Sequence, residues 1–416
     1  MSNNPMSNKS NEYESYVYRT LRDKGVEKEL AFPREEFEGR VARAIKTAGD
    51  LGLDALLLTT TPTIGYLTGA DTCMPPTYLA ALITADGNLT VQCADPEVGT
   101  ILRHSIVEDL VVFPWTDVSS AAGALARLLR SRGLASARIG MELSSPDNFG
   151  PSGVDVATYQ ELTDSLPNLS IVDVAERVLE LRLIKSDAEL TKMRAAGRIS
   201  TEAALAALQV AGVGVSENAV AAEAYAFATK AGSNAMSIDP IVASGERTGL
   251  MPHLPYRDNV LRDGDPVFLE MTGTVWRYSA PIMRTAVVGK PSAQVLALTD
   301  ATLEVLDILF AEIKPGRTGD DIARLAAPVW KKVPDAFFHG GYGYSIGMGF
   351  QPSWTENAVY IELGGERVLE PGMTFHLAIN PWVPGGEGVG FSESVVVTDS
   401  GCELLTLGTG RELLLR

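Results

Sequence analysis

The chain has 416 residues, 45% hydrophobic and 21% charged, a globular composition that excludes a disordered tail protein, a coiled coil and a disulfide miniprotein. At roughly 150 residues per domain, the length points to two domains rather than one core. Thirty-five Lys and Arg against 52 Asp and Glu give a net charge of −17, a field that repels phosphates and anionic surfaces, so neither nucleic acid nor membrane is an expected partner.

The N-terminal stretch Met1–Glu14 is polar and lacks the basic and apolar regions of a signal peptide, and residues 1–34 read as a flexible arm. No stretch approaches the ~18 apolar residues of a membrane span. Cys73, Cys93 and Cys402 are widely spaced and form no C-x-x-C pair, which suggests neither a disulfide framework nor a zinc cluster and fits a reducing cytoplasm.

A helical pattern (Phe37, Val41, Ala44, Ile45, Ala48, Leu51) runs into the apolar stretch 54–60, with further apolar runs at 78–83, 89–93 and 110–113. Residues 119–132 have helical spacing and stop at Gly133 before the strand-like 137–141. This alternation predicts an α/β domain over residues 35–180. Alternation alone names no function.

Ser186-Asp187-Ala188-Glu189 is a capping-box pattern. It opens the first of three helical patterns (187–209, 216–231, 293–312) in a second domain spanning residues 181–416. Strand-like segments follow at 237–243, 266–272 and 285–289, then at 374–380 and 394–398 among Gly and Pro clusters. The second domain is therefore expected to be α+β with a curved sheet.

Five motifs in this order carry a resemblance: Leu183-Ile184-Lys185-Ser186, Lys314-Pro315-Gly316, Gly341-Tyr342-Gly343-Tyr344-Ser345-Ile346-Gly347, Leu369-Glu370-Pro371-Gly372-Met373 and Val395-Val396-Val397-Thr398-Asp399-Ser400-Gly401. Together they resemble the pita-bread superfamily of methionine aminopeptidases, prolidases and creatinase. The resemblance implies a creatinase-type N-terminal α/β domain followed by an α+β pita-bread catalytic domain.

Peptidases of that superfamily bind two metal ions through Asp, Asp, His, Glu and Glu, a pair that makes hydroxide at neutral pH. The corresponding positions here read Glu270, Pro281, Tyr344, Ala378 and either Ser392 or Glu393, depending on one gap. Hard divalent ions need several anionic oxygens or imidazoles, so no metal and no other cofactor is expected. Creatinase holds its substrate with arginines, where this chain reads about Pro76 and Glu362, which argues against creatine. The chain is more similar to ectoine hydrolases. It shares Leu269-Glu270, the R-Y-x-x-P-x-x-R-T pattern of Arg277–Thr285, Pro352-Ser353-Trp354, Met373-Thr374-Phe375-His376 and Ser392-Glu393-Ser394.

That resemblance implies a metal-independent hydrolase of a C–N bond in a small cyclic amidine or amide. Opening such a ring needs a nucleophile at the amidinium carbon and a proton for the departing nitrogen. Glu270, on an otherwise apolar strand where an idle carboxylate is costly to bury, is the first catalytic candidate; its structural alternative is an ion pair with Arg284. His253 aligns with the proton-shuttling histidine of creatinase, and imidazole titrates near neutrality. Glu393 is the third catalytic candidate, as holder of an amidinium or orienter of His376, with a plain salt bridge as its alternative.

Substrate contacts are expected from His376, Tyr278, Tyr344, Trp354 and Arg284. In residues 374–380, alternation sets Phe375, Leu377 and Ile379 on one side and His376, Ala378 and Asn380 on the other. His104 and His339 read as structural. Relatives pair so that the partner's N-terminal domain caps the active site, which implies a homodimer in which Thr72–Thr77 crosses over and Met74 makes an apolar contact. Competing readings are another creatinase-like C–N hydrolase or lyase, an Xaa-Pro metallopeptidase, and an inert binding homologue.

Overall fold

The computed structural model describes residues 13–416 except 75–77, 118–119, 144–152 and 252. Pro76 and the end of the proposed crossover segment lie outside the described residues. The chain divides into two compact units that part between Leu181 and Arg182.

In the first unit, helices α1 (Tyr16–Lys24), α2 (Arg34–Asp50), α3 (Thr61–Thr68), α4 (Val98–His104), α5 (Ser120–Ser131), α6 (Val156–Ser165) and α7 (Ala175–Glu180) flank a six-stranded sheet. Its strands are β1 (Ala55–Leu58), β2 (Leu79–Thr84), β3 (Leu89–Ala94), β4 (Asp109–Phe113), β5 (Arg138–Met141) and β6 (Ser170–Asp173), in the order β4-β3-β2-β1-β5-β6. Strand alternation feeds two apolar layers: Ala80 and Leu82 of β2 pack with Leu125, Leu129 and Leu162, while Leu79 and Ala81 pack with Ile64, Ile101 and Val112. The expected arm is different in its described part. Ser15 caps α1 by accepting from the Tyr18 N–H at 3.2 Å, and the Tyr18 hydroxyl donates to the Glu108 carbonyl at 2.8 Å. Residues 16–24 therefore form a docked helix, because a cap and a tertiary hydrogen bond offset the ordering entropy.

The second unit opens with α8 (Asp187–Gln209), whose capping box is complete: Ser186 Oγ accepts from the Glu189 N–H and Glu189 Oε2 from the Ser186 N–H. Gly197 lets this helix approach the chain end, since a Cβ there would lie 2.1 Å from the Leu405 carbonyl oxygen. Helix α9 (Glu217–Lys230) follows, then α10 (Ala293–Glu312) and α11 (Gly319–Ala326). The strands are β7 (Ile241–Ser244), β8 (Pro266–Met271), β9 (Thr274–Val275), β10 (Tyr278–Ser279), β11 (Ile282–Val287), β12 (Gly343–Phe350), β13 (Ser353–Ile361), β14 (Thr374–Ile379), β15 (Phe391–Val397), β16 (Cys402–Leu404) and β17 (Leu414–Leu415).

They form two sheets. One runs β17-β11-β8-β7; the other runs β16-β15-β14-β12-β10-β9, with β13 paired to β12. Ile199, Ala203 and Val220 of α8 and α9 cover the outer face of the first through Val242, Leu269 and Ile282. Val295, Leu298 and Leu309 of α10 cover the second through Phe375, Leu377, Phe391 and Val395. Helices outside and strands inside leave the inner strand faces for the site.

Two predicted strands shift. The one expected at 237–243 begins only at Ile241, after Pro240, which has no N–H for a ladder; the one expected at 285–289 runs Ile282–Val287. Between β9 and β10, Trp276 and Arg277 hold φ of 51° and 67°, a two-residue hairpin turn that Asn-Gly makes more easily. Asn234 Oδ1 accepts the Trp276 N–H at 2.6 Å, and the Arg277 guanidinium sits 4.8 Å over the Phe350 ring.

Candidate active site

The alternation of β8 sends Val267, Leu269 and Met271 into the α8–α9 core and leaves Phe268 and Glu270 on the inner face. There Glu270 stands opposite Met283 of β11 and Ile241 of β7. Its surroundings are apolar: Ala243, Met251, Phe268, Met283 and Ala378 form one cluster, with Ile241 and Tyr344 packed against it. Glu270 is 4% exposed and opens onto a cleft of about 850 Å³ that His253, Arg257, Tyr344, Trp354 and Tyr360 also line. Among the described residues its carboxyl receives no hydrogen bond and no ion pair. Burial in this apolar pocket pushes its pKa from 4.5 up to about 8.

Tyr344 on β12 stands in register with His376 on β14, and its hydroxyl lies 2.7 Å from His376 Nδ1. The Trp354 indole N–H donates to the same hydroxyl at 2.9 Å, and Ser392 Oγ lies 2.6 Å from His376 Nε2. His376 is fully buried, and desolvation lowers its pKa to about 3, so the ring is neutral. Burial first, and the nearby Glu270 charge second, hold the Tyr344 hydroxyl well above 10.

His253 sits at the cleft rim, where partial desolvation keeps it below 6.5. His339, which the sequence reads as structural, is close enough for the charges of the two rings to repel; burial, then that repulsion, lowers its pKa, while Asn380 opposes the shift. Its Nδ1 accepts the Gly341 N–H at 3.2 Å.

Three candidates stand elsewhere. Leu377 pairs with Glu393 and Ala378 with Ser392, so the register puts Ser392, not Glu393, on the side of His376. Glu393 instead accepts from Arg284 Nη2 at 2.6 Å and from the Thr406 hydroxyl, and both ion-pair partners are fully buried. Arg284 spends its other donors on the carbonyls of Met283, Ser392 and Thr409, so it pairs with Glu393 and not with Glu270. The fully buried Tyr278 donates to Glu189 Oε1 at 2.9 Å, within the α8 cap. Glu393, Arg284 and Tyr278 thus brace the fold instead of facing the cleft. Met74 belongs to the first unit and is 53% exposed. Sequence reasoning missed Ser392 as a partner of His376, and it missed Arg257 and Tyr360, exposed or half-buried side chains with no motif to mark them.

The donor set does not fit a pair of divalent ions. Pro281 and Ala378 have no ligating side-chain atom, both His376 nitrogens are engaged, and Glu393 is held by Arg284. Among the described residues no three His, Cys, Asp or Glu side chains cluster as a metal site, and no helix is long and apolar enough to cross a membrane.

Comparison with known proteins follows the same division of the chain. Residues 40–184 match the creatinase/prolidase N-terminal domain, and residues 191–399 match metallopeptidase family M24. An ectoine hydrolase of Halomonas elongata is 29% identical over 91% of this chain and 97% of its own length. An uncharacterized hydrolase/peptidase of Sinorhizobium fredii is 30% identical over 90% and 95%. An Xaa-Pro dipeptidase of Pyrococcus furiosus is 29% identical over 57% of this chain and 66% of its own. In fold, the chain is similar to the X-Pro aminopeptidase of Thermotoga maritima, with a TM-score of 0.77 at 21% identity over 90% of this chain and 99% of that one. With its creatinase-type N-terminal domain and its pita-bread C-terminal domain, the chain belongs to metallopeptidase family M24.

Proposed function

We propose that the protein is a metal-independent hydrolase that opens a C–N bond of a small cyclic amidine or amide, with ectoine as its simplest substrate. The observation that carries this reading is Glu270, a buried carboxyl with no partner among the described residues, at the wall of a cleft. An unpaired buried carboxyl is destabilising unless a ligand completes it. An amidinium cation would do so, and would draw the pKa of about 8 downward on binding. Arg257, exposed on the same cleft, suits the carboxylate of a zwitterion.

In the reaction, ionised Glu270 takes a proton from water as the water oxygen adds to the amidinium carbon. The C–N bond then breaks as Glu270 returns that proton to the departing nitrogen and neutral His253 takes the hydroxyl proton of the adduct, which it passes on to the released amine, giving the ring-opened acetyl-diaminobutyrate as amide and ammonium. The identity with a named ectoine hydrolase over nearly its whole length supports this choice. We also propose a homodimer in which exposed Met74 meets the partner, a reading that fails if light scattering finds only the single chain.

The test is ectoine consumption, followed by NMR, with chelator-treated enzyme and the Glu270→Gln variant. Turnover that survives chelation and is lost in the variant supports the proposal. Cleavage of an Xaa-Pro dipeptide only after metal addition, or saturable binding without turnover, contradicts it.

A further inference from the structure

Three hydrogen-bonding side chains stand in a row behind the cleft wall: Tyr344, His376 and Ser392, joined by contacts of 2.7 Å at Nδ1 and 2.6 Å at Nε2 of the imidazole. Both ends of the row already accept a hydrogen. Trp354 Nε1–H donates to the Tyr344 hydroxyl at 2.9 Å, and the Met283 backbone N–H donates to Ser392 Oγ at 2.6 Å. Phenol, neutral imidazole and serine hydroxyl own three polar hydrogens between them. The two bonds that join them use two, so one is left over.

The histidine tautomer decides where it goes. With the proton on Nε2, the ring donates to Ser392, Tyr344 donates to Nδ1, and the spare hydrogen belongs to Ser392. That hydroxyl is fully buried and has no other partner among the described residues. With the proton on Nδ1, Ser392 donates to Nε2, the ring donates to Tyr344, and the spare hydrogen belongs to Tyr344, which lines the cleft. A buried donor without an acceptor is penalised, and Ser392 is fully buried, whereas Tyr344 is only partly buried and borders a cleft where a ligand or water can accept its hydrogen. The second arrangement is favoured by about fivefold or more.

We propose that Ser392, acting through the Nδ1–H tautomer of His376, aims the Tyr344 hydroxyl hydrogen into the cleft, so that Tyr344 donates a hydrogen bond to the bound substrate. Ser392 is then a positioning residue and Tyr344 a catalytic one; the catalytic part rests on the hydrolase reading above. There Tyr344 meets the oxygen that water adds to the ring carbon and stabilises the charge developing on it. Trp354 restrains the phenol oxygen from its other side.

The chain has only four histidines, so the His376 ring nitrogens can be assigned by 15N NMR with a His376→Gln variant for comparison. The expected result on the unliganded protein at neutral pH is a protonated Nδ1 and an unprotonated Nε2. A protonated Nε2, alone or with Nδ1, overturns the proposal whether or not ectoine is turned over. A second measurement reads the positioning. Ser392→Ala should lower kcat about tenfold with little change in KM, and Ser392→Thr, which keeps the hydroxyl, should recover most of it. Unchanged kcat in Ser392→Ala overturns the role of Ser392. Absence of turnover on ectoine by the wild type, with the Nδ1–H tautomer observed, defeats the hydrolase reading and leaves the hydrogen-bond assignment standing.

Discussion

Glu270 and Glu393 are both almost wholly removed from water, at 4% and 0% exposure, yet their surroundings are opposite. Glu393 accepts from a guanidinium whose remaining donors are all spent on carbonyls, and from the Thr406 hydroxyl. Glu270 stands among Phe268, Met283 and Tyr344 with no donor of its own among the described residues. A satisfied buried charge fixes register and packing; an unsatisfied one stores a free-energy cost that a ligand can remove. Burial marks neither role by itself. The contrast lies in which partners the fold supplies.

The largest effect that sharpens the contrast is on activity. Glu270→Gln should lower kcat/KM by about 10²–10⁴, the worth of a positioned acid/base, with an unchanged circular-dichroism spectrum. Next in size is stability. Glu393→Ala should cost about 3–5 kcal/mol in urea unfolding, because it strands Arg284, and the apolar double replacement Glu393→Leu with Arg284→Met should recover most of that loss.

The pH dependence is smaller and opposite in sense to that of an ordinary salt-bridged carboxylate. The Glu270 pKa is raised from 4.5 to about 8, so the folded state holds this proton more tightly than the unfolded one. Its contribution to stability is complete below pH 4.5 and is lost as pH rises through about 8, at no more than ~1.4 kcal/mol per pH unit. Between pH 6 and 8 the wild type should therefore lose about 2 kcal/mol relative to Glu270→Gln, measured as parallel unfolding curves. The smallest effect belongs to Trp354→Phe, which removes one neutral hydrogen bond to Tyr344 worth ~1 kcal/mol and should lower kcat about fivefold.

Much of the architecture was legible because its carriers are local. The Ser186–Glu189 capping box, the helical spacing that yields α8, α9 and α10, and the strict alternation of β14 each predict an element the structure contains. Glu270 was legible for the same reason: a carboxylate on an apolar strand is conspicuous. Long-range pairing was not. Nothing local to Glu393 says that Arg284, 109 residues away, takes it, or that Tyr278 serves a helix cap 89 residues earlier. The choice between Ser392 and Glu393 turned on a single-residue register, and only the pairing of β14 with β15 resolves it. The described part of the expected arm forms a docked helix instead, which polar composition does not reveal because it says nothing of tertiary partners such as the one Tyr18 finds at Glu108.

The central claim is that Glu270 is a buried, unpartnered carboxyl, and the most direct measurement is its own titration. Infrared difference spectra of wild type against Glu270→Gln isolate the protonated-carboxyl C=O stretch of this one group. A band present at pH 6 that disappears with a midpoint near 8 is the predicted result. A missing band, or a midpoint near the ordinary 4.5, would contradict the account, because it would mean that Glu270 already has a partner.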